Sequence, residues 1–287
     1  ELIVGYTSIE NVEYVNGKVC WTPVFGAEGY VVKVNDETTI EVAEGNTYAD
    51  IVFDKAGVNT ISVEYIGGGS TLGTKSIKVK SYEIGFYSNG ERVDVRYVAT
   101  GDYVALPEAE SLGYVFAGWY EVPDGGNNNA ARVHDGTYTA SRDMRLYAYF
   151  TSADYTVKLD AVGGTLDVTE VSVTYKEEYK LPVPVSTSLD KVFGGWFAEP
   201  NGVGQFTDGD GYGKGLWTRT DNDITLYAYW VSILNYTLDN SGTGYIVTEG
   251  EGISYATKVR VESTYENKPV RSVDSLAGAS RLRSIEI

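Results

Sequence analysis

Cysteine, histidine and methionine each occur once in these 287 residues, and proline only seven times. The lone Cys20 excludes an intramolecular disulfide. In Val19-Cys20-Trp21 it reads as a small buried side chain rather than a reactive thiol. Together with the distant His134 it cannot supply the usual ligand set of a zinc site. His134, in Arg132-Val-His-Asp-Gly136, would have to serve any Ser-His-Asp arrangement, and it reads instead as a loop residue. No Gly-x-Ser-x-Gly elbow is present. Neither catalysis nor a cofactor is expected. No apolar run reaches the roughly 18–20 residues of a spanning helix. Glu1-Leu2-Ile3-Val4 lacks the basic and apolar regions of a signal peptide, so the start is expected to be trimmed from a longer protein.

Positive charge is also scarce: 23 Lys and Arg face 40 Asp and Glu, for a formal charge of −17 and a pI near 4.5. Such a surface repels phosphate backbones, and no nucleic-acid partner is expected. What is abundant is tyrosine, with 24 residues, and glycine, with 33. Tyr favours strands and Gly favours tight turns, so the chain should be mostly β, with short connections. Its length suggests several domains of about 100 residues each.

Two segments repeat one another. Gly113-Tyr-Val-Phe-Ala-Gly-Trp-Tyr120 is similar to Asp190-Lys-Val-Phe-Gly-Gly-Trp-Phe197. Asp143-Met-Arg-Leu-Tyr-Ala-Tyr-Phe150 is similar to Asp223-Ile-Thr-Leu-Tyr-Ala-Tyr-Trp230. The spacing grows from 75 residues (Pro107 to Pro182) through 77 (Trp119 to Trp196) to 80 (Leu146 to Leu226). Small insertions therefore separate the shared elements, which places those elements on different strands. Tyr155–Leu159 and Val171–Tyr175 alternate around a Gly163-Gly164 turn. A short helix is expected around Glu108 to Leu112, with a counterpart before Lys191.

Ahead of the repeats, Thr60–Ile66 and Ser76–Lys80 alternate around Gly67-Gly-Gly-Ser70, a hairpin signal. With Tyr30–Val34 and Lys18–Trp21 they make a sandwich of about 80 residues. In the tail, Lys258–Glu262 alternates, and Val270, Val273, Leu276 and Leu282 take the intervals of a small solenoid coil. Such a coil cannot bury its apolar face alone, so continuation beyond Ile287 is expected.

The two central copies resemble the Listeria–Bacteroides repeat, also called the internalin B-repeat. The second copy carries the resemblance in Gly163-Gly-Thr165, Leu181-Pro182, Phe193-Gly-Gly-Trp196 and the closing Asp223–Trp230. The first has Ser88-Asn89-Gly90 in place of the double glycine and Phe150 in place of the last Trp. The resemblance implies β-grasp-like modules found in tandem in bacterial surface proteins. Trp21-Thr-Pro-Val24 and Gly26–Val32 resemble a fibronectin type III or immunoglobulin-like domain. Tyr255–Val261, Asn267–Val270 and Leu282–Ile285 resemble the start of a BspA-type leucine-rich repeat array. The expected layout is a sandwich at 1–80, repeats at 81–151 and 152–231, and a solenoid cap with a first coil at 232–287. The junctions, such as Lys80-Ser81-Tyr82, are short.

Rings recurring at matched positions (Trp119 and Trp196, Tyr147 and Tyr227, Tyr149 and Tyr229, Tyr138 and Trp217) should fill the modules' interiors. Phe206 and Tyr212, in the second copy's inserted loop, together with Trp217 are the candidates for stacking on a ligand, with Tyr103 and Tyr87 weaker. Asp208 and Asp210 alternate like the opening of a calcium loop, yet the twelfth position is Arg219 rather than Glu. A turn-forming loop is the plainer reading, and no metal is expected. These expectations amount to a monomeric, non-catalytic fragment of an extracellular bacterial protein, at the cell surface or secreted. It would act in adhesion or display towards a host or bacterial surface protein or glycan, without inserting in a membrane. Carbohydrate-binding accessory modules of a secreted glycan-degrading protein are the alternative.

Overall fold

The computed structural model describes residues 8–125, 132–133 and 138–287. The chain is mostly β and multi-domain; among the described residues the single helical element is one 3-10 turn, Glu251–Tyr255. The short helix expected at Glu108–Leu112 does not form, and neither does its counterpart before Lys191. Five residues are too few to nucleate a helix without support. Leu106 and Ala109 instead lie irregularly against the first repeat's core. Two compact units result, one from residues up to Ser111 with Val115–Thr151, the other from Leu112–Tyr114 with Ser152–Ile287.

The first unit begins with a two-sheet sandwich. Strands β1 (Glu13–Val15), β2 (Lys18–Cys20) and β5 (Tyr48–Asp50) form one sheet, in the order β1-β2-β5. In the other, β4 (Thr38–Ala43) pairs with β3 (Gly29–Val34), β3 with β6 (Gly57–Gly67), and β6 with β7 (Ser70–Ser88). In β3, Tyr30, Val32 and Val34 alternate inward, as a period of two requires. They meet Val19, Trp21, Ile61 and Val63 in one core. The Gly68-Gly69 turn has φ of 58° and 75°, the left-handed pair that a two-residue hairpin demands.

Strand β7 is 19 residues long and does not stop where the sandwich ends. Its first part pairs with β6, and from Ser81 onward it pairs with β8 (Glu91–Ala99). The junction Lys80-Ser81-Tyr82 thus lies inside an unbroken strand. Ser81 and Asn59 are buried there, and Asn59 Nδ2 donates to Ser81 Oγ at 2.8 Å. Ser81 Oγ in turn donates to the Lys55 carbonyl at 2.7 Å. Ala99, from β8, packs into the sandwich core, and the Tyr14 hydroxyl donates to Asp102 Oδ2 at 2.6 Å. Burial, and then this carboxylate, hold the Tyr14 hydroxyl well above its ordinary pKa.

The first repeat is completed by β9 (Tyr114–Tyr120), β10 (Arg132–Val133) and β11 (Met144–Ser152), with β11 running parallel to β7. The second repeat has the same plan. Its strands β12 (Asp154–Asp160), β13 (Glu170–Thr174), β14 (Lys191–Phe197) and β15 (Ile224–Ser232) lie in the order β13-β12-β15-β14. First and last strands again run parallel side by side. Each repeat has its own apolar core.

The tail holds β16 (Leu234–Leu238), β17 (Tyr245–Glu249), β18 (Lys258–Arg260), β19 (Thr264–Tyr265), β20 (Lys268–Val273) and β21 (Ser284–Glu286). Both β17 with β20 and β18 with β21 pair in parallel. Ile233, Val247, Ile253, Val259 and Val261 form the core of this segment.

Candidate functional site

The repeated motifs are where function would be sought, so the fate of their rings is decisive. Trp119 and Trp196 are essentially unexposed, at 1% and 0%. Each donates its indole Nε1–H to a proline carbonyl, Trp119 to Pro107 at 2.7 Å and Trp196 to Pro182 at 2.8 Å. The Leu-Pro motif therefore supplies the acceptor that lets a polar indole edge be buried. Around each Trp the same edge-on rings recur: Phe116 at 5.5 Å from Trp119, and Phe193 at 5.3 Å from Trp196.

The glycine before each Trp has a positive φ, 132° at Gly118 and 136° at Gly195. In the second repeat it follows a bulge between Phe193 and Gly195. A Cβ on Gly195 would lie 2.2 Å from the Thr207 carbonyl oxygen. The aspartate that opens each closing motif is structural too. Asp143 accepts the Glu83 backbone N–H at 2.8 Å, and Asp223 pairs with Lys158 at 2.8 Å.

The inserted loop of the second repeat folds back onto its own module. Thr207, unexposed, accepts the Trp196 backbone N–H at 2.9 Å, and the Tyr179 hydroxyl donates to the Phe206 carbonyl at 2.8 Å. Trp217 is 1% exposed, with Tyr179 edge-on at 5.3 Å and Phe206 tilted at 5.5 Å. Trp217 is thus core, which corrects its place among the ligand-stacking candidates. Phe206 is partly buried against it. Of the three, Tyr212 alone presents a largely exposed ring, and Lys180 Nζ sits 4.1 Å above its centroid. Tyr103 is exposed, and Tyr87 leans on Tyr147 at 5.5 Å.

The Asp208 and Asp210 side chains are both engaged within the protein. Asp208 Oδ1 already accepts the backbone N–H groups of Asp210 and Tyr212, at 2.9 and 3.0 Å. Asp210 is held by both terminal nitrogens of Arg281, at 2.5 and 2.6 Å. That guanidinium keeps the Asp210 carboxyl below the usual carboxylate range. Among the described residues no group of three or more His, Cys, Asp or Glu could hold a metal. Cys20 is only partly buried, and His134 lies outside the described residues.

A cleft of about 260 Å³ opens within the second unit, lined by Leu189, Lys191, Val192, Tyr255, Lys258 and Glu286 among others. Its one carboxylate, Glu286, is paired with Lys258 at 2.6 Å. A general acid and base pair needs two free carboxyl groups across a substrate. Elsewhere, Glu83 and Asp143 line one open surface cleft, but Glu83 is paired with Arg92 at 3.3 Å and Asp143 is held by the Glu83 amide.

The central half of the chain is thus one sheet plan built twice, with Trp119 and Trp196 turned inward. Tyr147, Tyr149, Tyr227 and Tyr229 do not join them: they alternate with the core-facing Leu146, Ala148, Leu226 and Ala228, so period two turns them to the opposite face, half-buried and outside the cores, which corrects their expected place in the interior. Residues 82–149 and 155–229 match the family model of the Listeria–Bacteroides repeat domain, and the chain carries two such domains. Similar proteins include one of Evansella cellulosilytica, provisionally named a membrane protein. It is 31% identical over 196 residues, covering 64% of this chain and 26% of the relative. A second, provisionally named a Gly-rich membrane protein, is 27% identical over 229 residues, covering 74% and 24%. Internalin H of Listeria monocytogenes is 27% identical over 176 residues, covering 61% and 30%. The chain therefore spans between about a quarter and three tenths of these relatives' lengths. No helix among the described residues is long and apolar enough to cross a membrane.

Proposed function

We propose that this chain is a non-catalytic, extracellular piece of a bacterial cell-surface or secreted protein, and that its modules act as a display stalk that carries an attachment surface. The observation that carries the reading is the inward burial of Trp119, Trp196 and Trp217. Rings spent on cores, those of Trp119 and Trp196 held by proline carbonyls as well, cannot also grip a ligand. The similarity to Internalin H, whose name places it among internalins, supports a surface setting. The unbroken β7, which joins two modules without a flexible linker, supports the stalk.

In this reading residues 1–80 are a fibronectin type III or immunoglobulin-like sandwich, and 81–151 and 152–231 are the repeats. Residues 232–287 form the cap and first coil of a leucine-rich array. The parallel pairing of β18 with β21 supports that last assignment. Partners are a host or bacterial surface protein or glycan, met by an acidic, monomeric chain. Pull-down from surface extracts, with the 287-residue chain as bait, tests the attachment role; a partner retained by the fragment supports adhesion, and none points to a bare stalk. A broad glycan array tests the carbohydrate alternative. Binding lost in Tyr212→Ala would revive it, since Tyr212 is the one inserted-loop candidate whose ring is largely exposed.

A further inference from the structure

In each repeat the chain enters on one central strand and leaves on its parallel neighbour. In the first, Ile84 faces Met144, Gly85 faces Arg145, Phe86 faces Leu146 and Tyr87 faces Tyr147. In the second, Val157 faces Ile224, Lys158 faces Thr225, Leu159 faces Leu226 and Asp160 faces Tyr227. Because the strands are parallel, the incoming end of one and the outgoing end of the other lie at opposite ends of the ladder. Tension along the chain must slide the two strands past each other. Every ladder hydrogen bond is then strained at once. An antiparallel hairpin pulled at its open end instead yields one bond at a time.

The ladder is also sealed on one face. Ile84, Phe86 and Leu146 are unexposed in the first repeat, as are Val157 and Leu226 in the second, with Leu159 at 5%. Water cannot compete for a strained bond from that side until the core opens. The other strands, β8 and β9 or β13 and β14, flank this pair, so the chain ends pull on the module's centre rather than its edge. The sandwich differs: its first described strand, β1, pairs only with β2, antiparallel through a tight turn.

We propose that each repeat is a mechanical clamp, a module whose entry and exit strands are arranged to resist tension between its ends. This rests on the display reading, in which a surface attachment under pull would load the chain lengthwise. Forced unfolding is governed by the unfolding barrier, so resistance depends on the direction of load at unchanged equilibrium stability.

Single-molecule pulling on the full chain, in a Cys20→Ser background, separates direction from stability. Handles on Asp154→Cys and Ser232→Cys load the second repeat's β12–β15 ladder lengthwise. Handles on Asp154→Cys and Asn222→Cys load the same ladder from one end. The lengthwise pair should rupture at a force several-fold higher, releasing about 27 nm of chain at roughly 3.5 Å per residue. Thermal unfolding of the two variants should agree. Should Ser232→Cys disturb folding, Asn235→Cys, exposed and just beyond the strand, replaces it. Equal rupture forces, or a weaker lengthwise one, would overturn the clamp. That result would leave the display reading intact, because partner capture is scored independently.

Discussion

The two repeats share one sheet order and one buried Trp, yet they close their first hairpin in different ways. In the second, Gly164 lies under Trp230: a Cβ there would sit 2.3 Å from the indole Cζ2. Trp230 in turn donates its Nε1–H to the Ala161 carbonyl of that same connection, at 3.0 Å. In the first, a two-residue Asn89-Gly90 turn, with φ of 51° and 87°, replaces the long connection. Phe150, which has no N–H to place, stands where Trp230 does. Double glycine and terminal Trp are therefore one feature, not two, and the first copy lacks both for a single reason. The Leu-Pro and Gly-Trp elements form a separate set that both copies keep.

The sharpest way to break the likeness is to strike the set they share. Trp119→Ala and Trp196→Ala should each cost about 3–5 kcal/mol, the usual price of emptying a large core site. The phenylalanine versions keep most of the ring but leave the Pro107 or Pro182 carbonyl unpartnered, at about 1–3 kcal/mol. Urea unfolding checks both, and near-equal losses in the two copies are expected. A loss below about 1 kcal/mol for either alanine variant would mean that its indole does not organise the core.

Next come the two glycines, where the copies should part. Alanine at either 118 or 195 must adopt a positive φ, a strain of about 1–3 kcal/mol. At Gly118 the nearest atoms to the new Cβ belong to the side chain of Arg132, which can swing away. At Gly195 it meets the Thr207 backbone carbonyl, which cannot. Gly195→Ala should therefore be clearly the more destabilising, and equal losses would show that the inserted loop yields.

How far the residues foretold this is uneven. The alternation of Thr60–Ile66 and Ser76–Lys80 around glycines marks the β6–β7 hairpin directly, because period two and turn chemistry are local signals. Matched positions likewise place Trp119 and Trp196 inside. Trp217 matches Tyr138 yet is also a candidate for stacking on a ligand, and only the fold-back through Thr207 and Tyr179 decides for the core. The bond from Trp119 to the Pro107 carbonyl leaves no periodic trace. Lys80-Ser81-Tyr82 reads as a boundary, although no Gly, Pro, Asn or Asp stands between Thr74 and Ile84; that gap is the available sign of an unbroken strand. Asp208 and Asp210 have a spacing that suits calcium and an Asx turn alike, and the partner that Asp210 takes, Arg281, lies 71 residues away, beyond any local signal.

A smaller effect should join the double glycine to the terminal Trp. Gly164→Ala destabilises the second repeat, and part of that cost should vanish in a Trp230→Phe background. The expected coupling is about 0.5–3 kcal/mol, as for side chains in contact. Rescue is partial because the Val185 carbonyl also lies 2.9 Å from the new Cβ. Strict additivity in the double-mutant cycle would refute the pairing of the two motifs.

The smallest expected effect concerns acid, and it should fall on the second unit. Arg281 lowers the Asp210 carboxyl below its ordinary value in the folded chain. Unfolded, that carboxyl would titrate near its usual pKa of about 3.9. A depressed folded pKa means that the unfolded state binds the proton first, so stability is fully present above about pH 4 and declines as pH falls through the folded value. Asp239 and Glu286 are lowered as well, by Ser241 and by Lys258, and act in the same direction. Replacing Arg281 with Leu should flatten this acid limb without altering the first unit, where none of these pairs exists. Melting followed between pH 2 and 6 would show it. An unchanged acid limb in Arg281→Leu would mean that solvent already screens the pair, as it does for many exposed ion pairs.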